Sequence, residues 1–440
     1  VDAKQDVFLA ELIGTLEVLE VNSASGDVRL TVNDAAGLNQ NLILLDNGDT
    51  QLGRTVSSGN VTAESGKIEL VVGDDVLIQP LATLASDVSI IIRGDQFDPL
   101  LVDPDASNGT TIDIQGSVAA FTQDGTKSPQ VELHGNENID WLMINTTLGI
   151  NPDGTTTLFG HESDDQIFVR AAAGETILSG DDGADFYFLA DNADKDLIED
   201  AVASLGENYN VFELAEGILD ELSGDLTGWQ NVTINPGVSL RPDPNDETVL
   251  IPDRENFDKA FLSHQSVTGG TTDGILAGDS LSGLGMTGTV DFAAAEGLTI
   301  HVELTDASDE FTVNNLDADH QLYLYSAAGN DELTVNTDDA DPVNGIVGFF
   351  AGAGQDSLLF NGDASTSPGQ LTAISVTGMN MGTNQYRAQH SLFGITYDAT
   401  DATFPGTVYY AEESATALDG DAFSVEEVVV QLDVGNDVFQ

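Results

Sequence analysis

One aspartate turn, returning at intervals of 20 to 25 residues, constrains this chain more than any other feature. It occurs in "GNENIDWLM" (135–143), "GHESDDQIF" (160–168), "GDDGADFYF" (180–188), "LTDASDEFT" (304–312), "AGAGQDSLL" (351–359) and "LDVGNDVFQ" (432–440), and within "SAAGNDELTV" (326–335). In each copy an Asp holds the sixth place and a large apolar residue the eighth, with a small or turn-forming residue usually at the fourth. Successive Asp residues lie 25 and 20 residues apart at 140, 165 and 185, and 22 and 25 apart at 309, 331 and 356. Such periods mark the rungs of a solenoid. Rungs stack at about 4.8 Å, so equivalent carboxylates would form a column. A column of like charges needs raised pKa values or a cation between its members.

The rest of the chain fits the same plan. Residues 1–130 alternate with period two in runs such as "GDVRLTVND" (26–34), "KIELVVGDDVLIQ" (67–79) and "DVSIIIRGD" (87–95), each ending at Gly, Asn or Asp. These are strands with tight turns, and their nearly continuous apolar character suits strands covered on both sides. No helical period separates them. The sequence therefore predicts an all-β fold: parallel β-solenoid (β-helix) stacks in at least two repeats. Tandem antiparallel β-sandwiches are the alternative, since they too use short strands and frequent turns.

The expected organisation is an N-terminal solenoid over 1–130, Asp-turn rungs over 131–193, a helical insertion or cap over 194–234, a linker over 235–247 and a second solenoid over 248–440. The helices are expected because Leu197, Ala201, Val202 and Leu205, then Phe212, Ala215, Leu219 and Leu222, recur at helical spacing. The linker is expected because "NPGVSLRPDPNDE" holds three of the twelve prolines. Residues 282–313 share an order of segments with "TGMNM", "GTVYYAEES" and "VEEVVVQLDVGNDVFQ", with a lateral insertion near 382–405 in the second copy. That copy ends on a strand, which leads us to expect a longer natural molecule or a docking subunit.

Charge decides the class of partner. There are 75 Asp and Glu against 12 Lys and Arg, a net charge of −63. Self-repulsion on that scale disfavours nucleic acid and anionic membranes and favours cations; adaptation to high salt is the other source of such acidity. No apolar run approaches the ~20 residues of a membrane-spanning helix. The absence of cysteine excludes disulfides and thiolate metal sites.

The turn motif resembles the RTX (haemolysin-type) calcium repeat, Gly-Gly-x-Gly-x-Asp-x-apolar-x, and the layout resembles giant repetitive bacterial surface proteins. The resemblance implies calcium at the turns, with Asp140, Asp165, Asp185, Asp309, Asp331, Asp356 and Asp437 as metal ligands, completed by turn carbonyls near Gly135, Gly160, Gly180 and Gly352. The sequence departs from the family pattern at the second position, which is Asn136, His161, Asp181, Ala327 or Asp433 in place of Gly, with only Gly352 retained. It departs also in period, with one Asp turn per rung in place of two. The bland alternative is that Asp merely caps its own turn.

Catalytic patterns are not evident: no Ser-His-Asp, Walker or dinucleotide motif occurs, and the six histidines show no zinc spacing. A solenoid lyase or epimerase would need a base and a cation in a groove, for which His161 with Asp164 and Asp165, or Asp338 and Asp339, are the paper candidates. His134 and His301 read as packing or solvent-contact residues. Trp141, Tyr323, Tyr325, Phe349 and Phe350 read as core stacks before sugar platforms, and Met286, Met379 and Met381 as gap-fillers. The expected role is a non-enzymatic structural component of an extracellular fibre or surface layer. It would be stiffened by Ca2+ and associate end to end with copies of itself or adjoining repeats. An adhesin for glycans or other surface proteins is the alternative, and a polysaccharide-modifying enzyme the less favoured one.

Overall fold

The computed structural model describes residues 1–34, 39–45, 59–95, 109–120, 130–145, 154–196, 199–201, 211–222, 224–237, 240–243, 246–252, 257–265, 273–292, 297–317, 320–336, 343, 345–351, 353–361, 370–377, 391–397, 407–412, 427–431 and 438–439. Two compact units divide the chain, one formed by 1–188 with 229–237 and the other by 189–228 with 238–440.

The first unit is a parallel β-solenoid. Its longest ladder runs through Val7–Glu11, Val28–Val32, Ile68–Val72, Ser89–Arg93, Gln130–His134, Thr155–Glu162, Glu175–Asp182 and Val232–Asn235, each pairing in parallel with the next. A second ladder includes Leu16–Val18, Leu42–Leu44, Val76–Ile78, Thr111–Ile114, Trp141–Asn145 and Gln166–Ala171. A third covers only the earlier rungs, from Asp2–Ala3 to Ser117–Ala120. Among the described residues, rungs up to Trp141–Asn145 therefore have three sheet strands, and the rungs of Asp165 and Asp185 have two. The pairing of Ser89–Arg93 with Gln130–His134 crosses the boundary expected at 130, so both segments belong to one stack.

Parallel pairing follows from the residues. Because equivalent positions align, side chains of one kind stack in columns: Leu30, Leu70, Ile92, Leu133, Leu158, Leu178 and Ile234 occupy one register position and are all fully buried. Each such side chain contributes about 1.5–3 kcal/mol by leaving water. A one-residue slip would turn the whole column outward, so the apolar alternation fixes the register.

The second unit repeats the principle. Asp258–Ser263, Leu298–Glu303, Gln321–Tyr325, Ile346–Phe350 and Thr407–Glu412 form one parallel ladder. Asp273–Ala277, Glu310–Asn315, Glu332–Asn336, Ser357–Asn361 and Glu427–Gln431 form another. The helix Val211–Leu222 buries Ala215, Ile218, Leu219 and Leu222 and rests on Asp258–Ser263. Residues 195–196 and 199–201 are also helical. Within the expected linker, Leu240–Asp243 pairs antiparallel with Asp246–Pro252. Within the expected insertion, Ser391–Tyr397 lies antiparallel between Gln370–Thr377 and Thr407–Glu412, so this stretch belongs to the sheet and is not a free loop. Met379 and Met381 fall outside the described residues. Among the described residues no helix is long and apolar enough to cross a membrane.

Candidate functional site: the aspartate columns and an adjoining groove

The structure brings Asp140, Asp165 and Asp185 into one column of the first unit. Each Asp immediately precedes a strand of the second ladder, and each is fully buried. Their spacing is maintained by a repeated contact. The N–H of Asp140 donates to Asp165 Oδ1 at 2.8 Å, and the N–H of Asp165 donates to Asp185 Oδ1 at 2.8 Å. The column continues toward the N-terminus: Thr110 N–H donates to Asp140 Oδ1 at 2.6 Å, and Gln40 N–H to Asp74 Oδ2 at 2.5 Å. Asp74 is a member that the motif did not reveal. Its only sequence signal is the Gly73–Asp74 step inside "VVGDDVLI".

The second unit holds a column of the same kind. Asp309 N–H donates to Asp331 Oδ1 and Asp331 N–H to Asp356 Oδ1, both at 2.8 Å, and all three residues are buried. Asp437 and the candidates Asp338 and Asp339 lie outside the described residues.

The first motif position has a steric reason in the first unit. A Cβ built on Gly135, Gly160 or Gly180 would meet Oδ2 of Asp140, Asp165 or Asp185 at 1.9, 2.1 and 1.8 Å. Glycine there makes room for the carboxylate. At the second position His161, Asp181 and Ala327 have positive φ of 87°, 69° and 51°, whereas Asn136 does not. Ser163, at the fourth position, has φ 89°. Non-glycine residues held there store backbone strain.

Electrostatics follow from burial and neighbours. Burial, with the flanking carboxylates adding to it, pushes Asp165 up to about 9 from the ordinary 3.8 and Asp331 to about 7; burial pushes Asp140 to about 6. Asp165 and Asp331 are the central members of their columns, with a carboxylate on either side.

The donors around these groups bear on calcium, which takes six to eight oxygen ligands. Both oxygens of Asp140 accept N–H groups, Oδ1 from Thr110 and Oδ2 from Asn136. Asp309 Oδ2 accepts the N–H and the hydroxyl of Thr305. Such donor shells suit an anion at these two residues. Asp165 Oδ2 is different, being buried without a hydrogen-bond partner.

A groove of about 750 Å³ opens beside the first column, lined by Arg93, His134, Asn136, His161, Glu162 and Asp181 among others. Of the carboxylates paired with His161 on paper, Asp165 Oδ1 accepts the N–H of Asp140 at 2.8 Å and Asp164 Oδ1 accepts the N–H of Ala184 at 2.9 Å. His301 is stacked between Phe261 and Tyr323 at ring distances of 4.9 and 5.3 Å, and burial lowers it to about 3. Tyr323, Tyr325 and Phe349 are buried, and Tyr325 stacks on Phe350 at 4.9 Å. In the second unit, ligand atoms of Asp279, Asp317 and His320 lie within 4.8 Å of one another, a mixed nitrogen–oxygen set that the sequence spacing did not disclose.

Comparison of the chain with protein-family models, curated proteins and solved structures finds no match.

Proposed function

We propose that the chain is a structural scaffold, a component of an extracellular fibre or surface layer, whose buried aspartates clamp one rung to the next. The observation that carries this reading is the repeated 2.8 Å contact from the N–H of one rung's Asp to the carboxylate of the next. A parallel stack grows by adding rungs that each bury the same columns, so length and stiffness come without new design. An amide hydrogen bond contributes about 0.5–1.5 kcal/mol net, and its repetition from rung to rung suits a corner that must resist shear between coils.

Calcium has a narrower place in this reading than the resemblance implies. It would be held at rungs such as that of Asp165, whose Oδ2 has no donor, and there it would supply the positive charge that a proton otherwise supplies. Association end to end with copies or adjoining repeats is the partner expected of such a scaffold.

Electron microscopy of the purified chain, with calcium and with chelator, tests the proposal. Ordered polymers are the expected result. Dispersed particles under both conditions, together with capture of a soluble glycan on a lateral face, would replace the scaffold by the adhesin reading.

A further inference from the structure

Outside the aspartate columns, the groove of the first unit holds two histidines from neighbouring rungs. His134 ends the strand Gln130–His134 and His161 lies near the end of Thr155–Glu162. Their rings stand 13° from parallel, and His134 Nδ1 lies 3.2 Å from His161 Nε2. Phe159 stacks on His134 at 4.7 Å and fixes its plane.

Each outer nitrogen faces a carboxylate. His134 Nε2 is 3.3 Å from Glu132 Oε2, and His161 Nδ1 is 3.6 Å from Asp181 Oδ2. Asp181 is itself oriented by the Ser179 hydroxyl, which donates to its Oδ1 at 2.8 Å. A proton on each outer nitrogen would face its carboxylate. Two neutral imidazoles carry only two such protons, so the inner nitrogens then meet as two lone pairs. A metal ion between the inner nitrogens removes the repulsion.

The distance suits that ion. Two nitrogens bound at about 2.0–2.1 Å, with an angle between right and tetrahedral, lie about 2.9–3.4 Å apart. Ligating histidines usually give their other N–H to a carboxylate, which is the arrangement at both ends here. The groove side is open and lined by Glu137, Glu162 and Asp182.

We propose that His134 Nδ1 and His161 Nε2 bind one late first-row divalent ion, of the copper or zinc class, at the floor of this groove. Imidazole donors select those metals over calcium, so the site is chemically separate from the aspartate columns. It does not depend on the scaffold reading.

Copper(II) alone, added to the full chain with excess calcium to occupy exposed carboxylates, is the probe. Electron paramagnetic resonance counts the nitrogens coupled to it. The expected result is one copper per chain coupled to two imidazole nitrogens. His161→Asn should lose the two-nitrogen signal and weaken copper binding at least tenfold, an order typical of a lost ligand or its support. Asparagine tolerates the positive φ at that place, and His161 is 40% exposed, so the variant should keep its fold by circular dichroism. Glu132→Gln should weaken binding about tenfold to a hundredfold, whereas His320→Asn, in the other unit, should leave the two-nitrogen signal intact. A wild-type spectrum with one nitrogen or none overturns the proposal. So does a two-nitrogen signal that survives His161→Asn.

Discussion

The backbone N–H of Asp140 donates to the Oδ1 of Asp165 at 2.8 Å, across two rungs that are 25 residues apart in sequence. The contact turns an acidic side chain into part of the main-chain hydrogen bonding. It also explains why carboxylates can be stacked in a buried column: each meets an amide dipole rather than only its like-charged neighbours. Removing the acceptor should therefore cost more than removing the charge.

Replacement of Asp165 separates those effects. In Asp165→Ala the N–H of Asp140 loses its acceptor inside the protein, at a cost of about 1–3 kcal/mol. In Asp165→Asn the side-chain carbonyl can still accept, and the group can no longer ionise. We expect Asp165→Ala to lower the melting temperature and Asp165→Asn to preserve or raise it at pH 8. Equal losses in thermal unfolding would mean that charge, not acceptance, holds the rungs.

The raised values set a direction for pH. A carboxyl whose folded value is raised binds protons more tightly in the native state. Its contribution is complete below the unfolded value of 3.8 and is lost as pH rises through the folded value. For Asp140, Asp165 and Asp331 the losses extend to about 6, 9 and 7. Denaturant unfolding at pH 5 and pH 9 should show the higher stability at pH 5, and Asp165→Asn should shrink the difference, leaving the part due to Asp140 and Asp331. If calcium occupies these carboxylates instead, added calcium should flatten it in the parent chain and chelator restore it.

His301 acts in the opposite sense. Burial holds its folded value near 3, so its contribution is present above the unfolded 6.5 and is lost as pH falls toward about 3. His301→Phe keeps a ring between Phe261 and Tyr323 but cannot charge. That variant should resist acid better than the parent when fluorescence is followed from pH 6.5 to 3.5. An unchanged acid midpoint would show that the imidazole is not neutral in the fold.

Much of this architecture could be read from residues before any coordinates. The alternation in "KIELVVGDDVLIQ" exposes the buried Ile68, Leu70 and Val72, and the 25 and 20 residue gaps place Asp140, Asp165 and Asp185 in one column. What the spacing could not show is the direction of each carboxyl. A column open to cations and a column turned inward onto amides have the same period. Likewise His134 and His161 lie 27 residues apart with no metal-site spacing, and only the pairing of Gln130–His134 with Thr155–Glu162 brings them together. Ser391–Tyr397 pairs antiparallel because a hairpin is the nearest way to return an added segment to the sheet, and the repeat comparison carries no such direction.

Gly160 and Asp165 give the sharpest test of the corner geometry. A Cβ at 160 would lie 2.1 Å from Asp165 Oδ2 and 2.9 Å from its Cγ, which is closer than unbonded atoms approach. Either the carboxylate must withdraw, breaking its contact with the Asp140 N–H, or the rung must shift. Crowding of this kind costs about 1–3 kcal/mol, and a buried amide N–H left without its acceptor adds about 1–3 kcal/mol. Gly160→Ala should thus be strongly destabilising in the parent chain. In an Asp165→Ser background the shorter side chain leaves the space clear, and the same glycine substitution should cost well under half as much. A double-mutant cycle by chemical denaturation measures that coupling directly. Additive losses would mean that the glycine serves the backbone turn alone and that the carboxylate does not depend on the space it leaves.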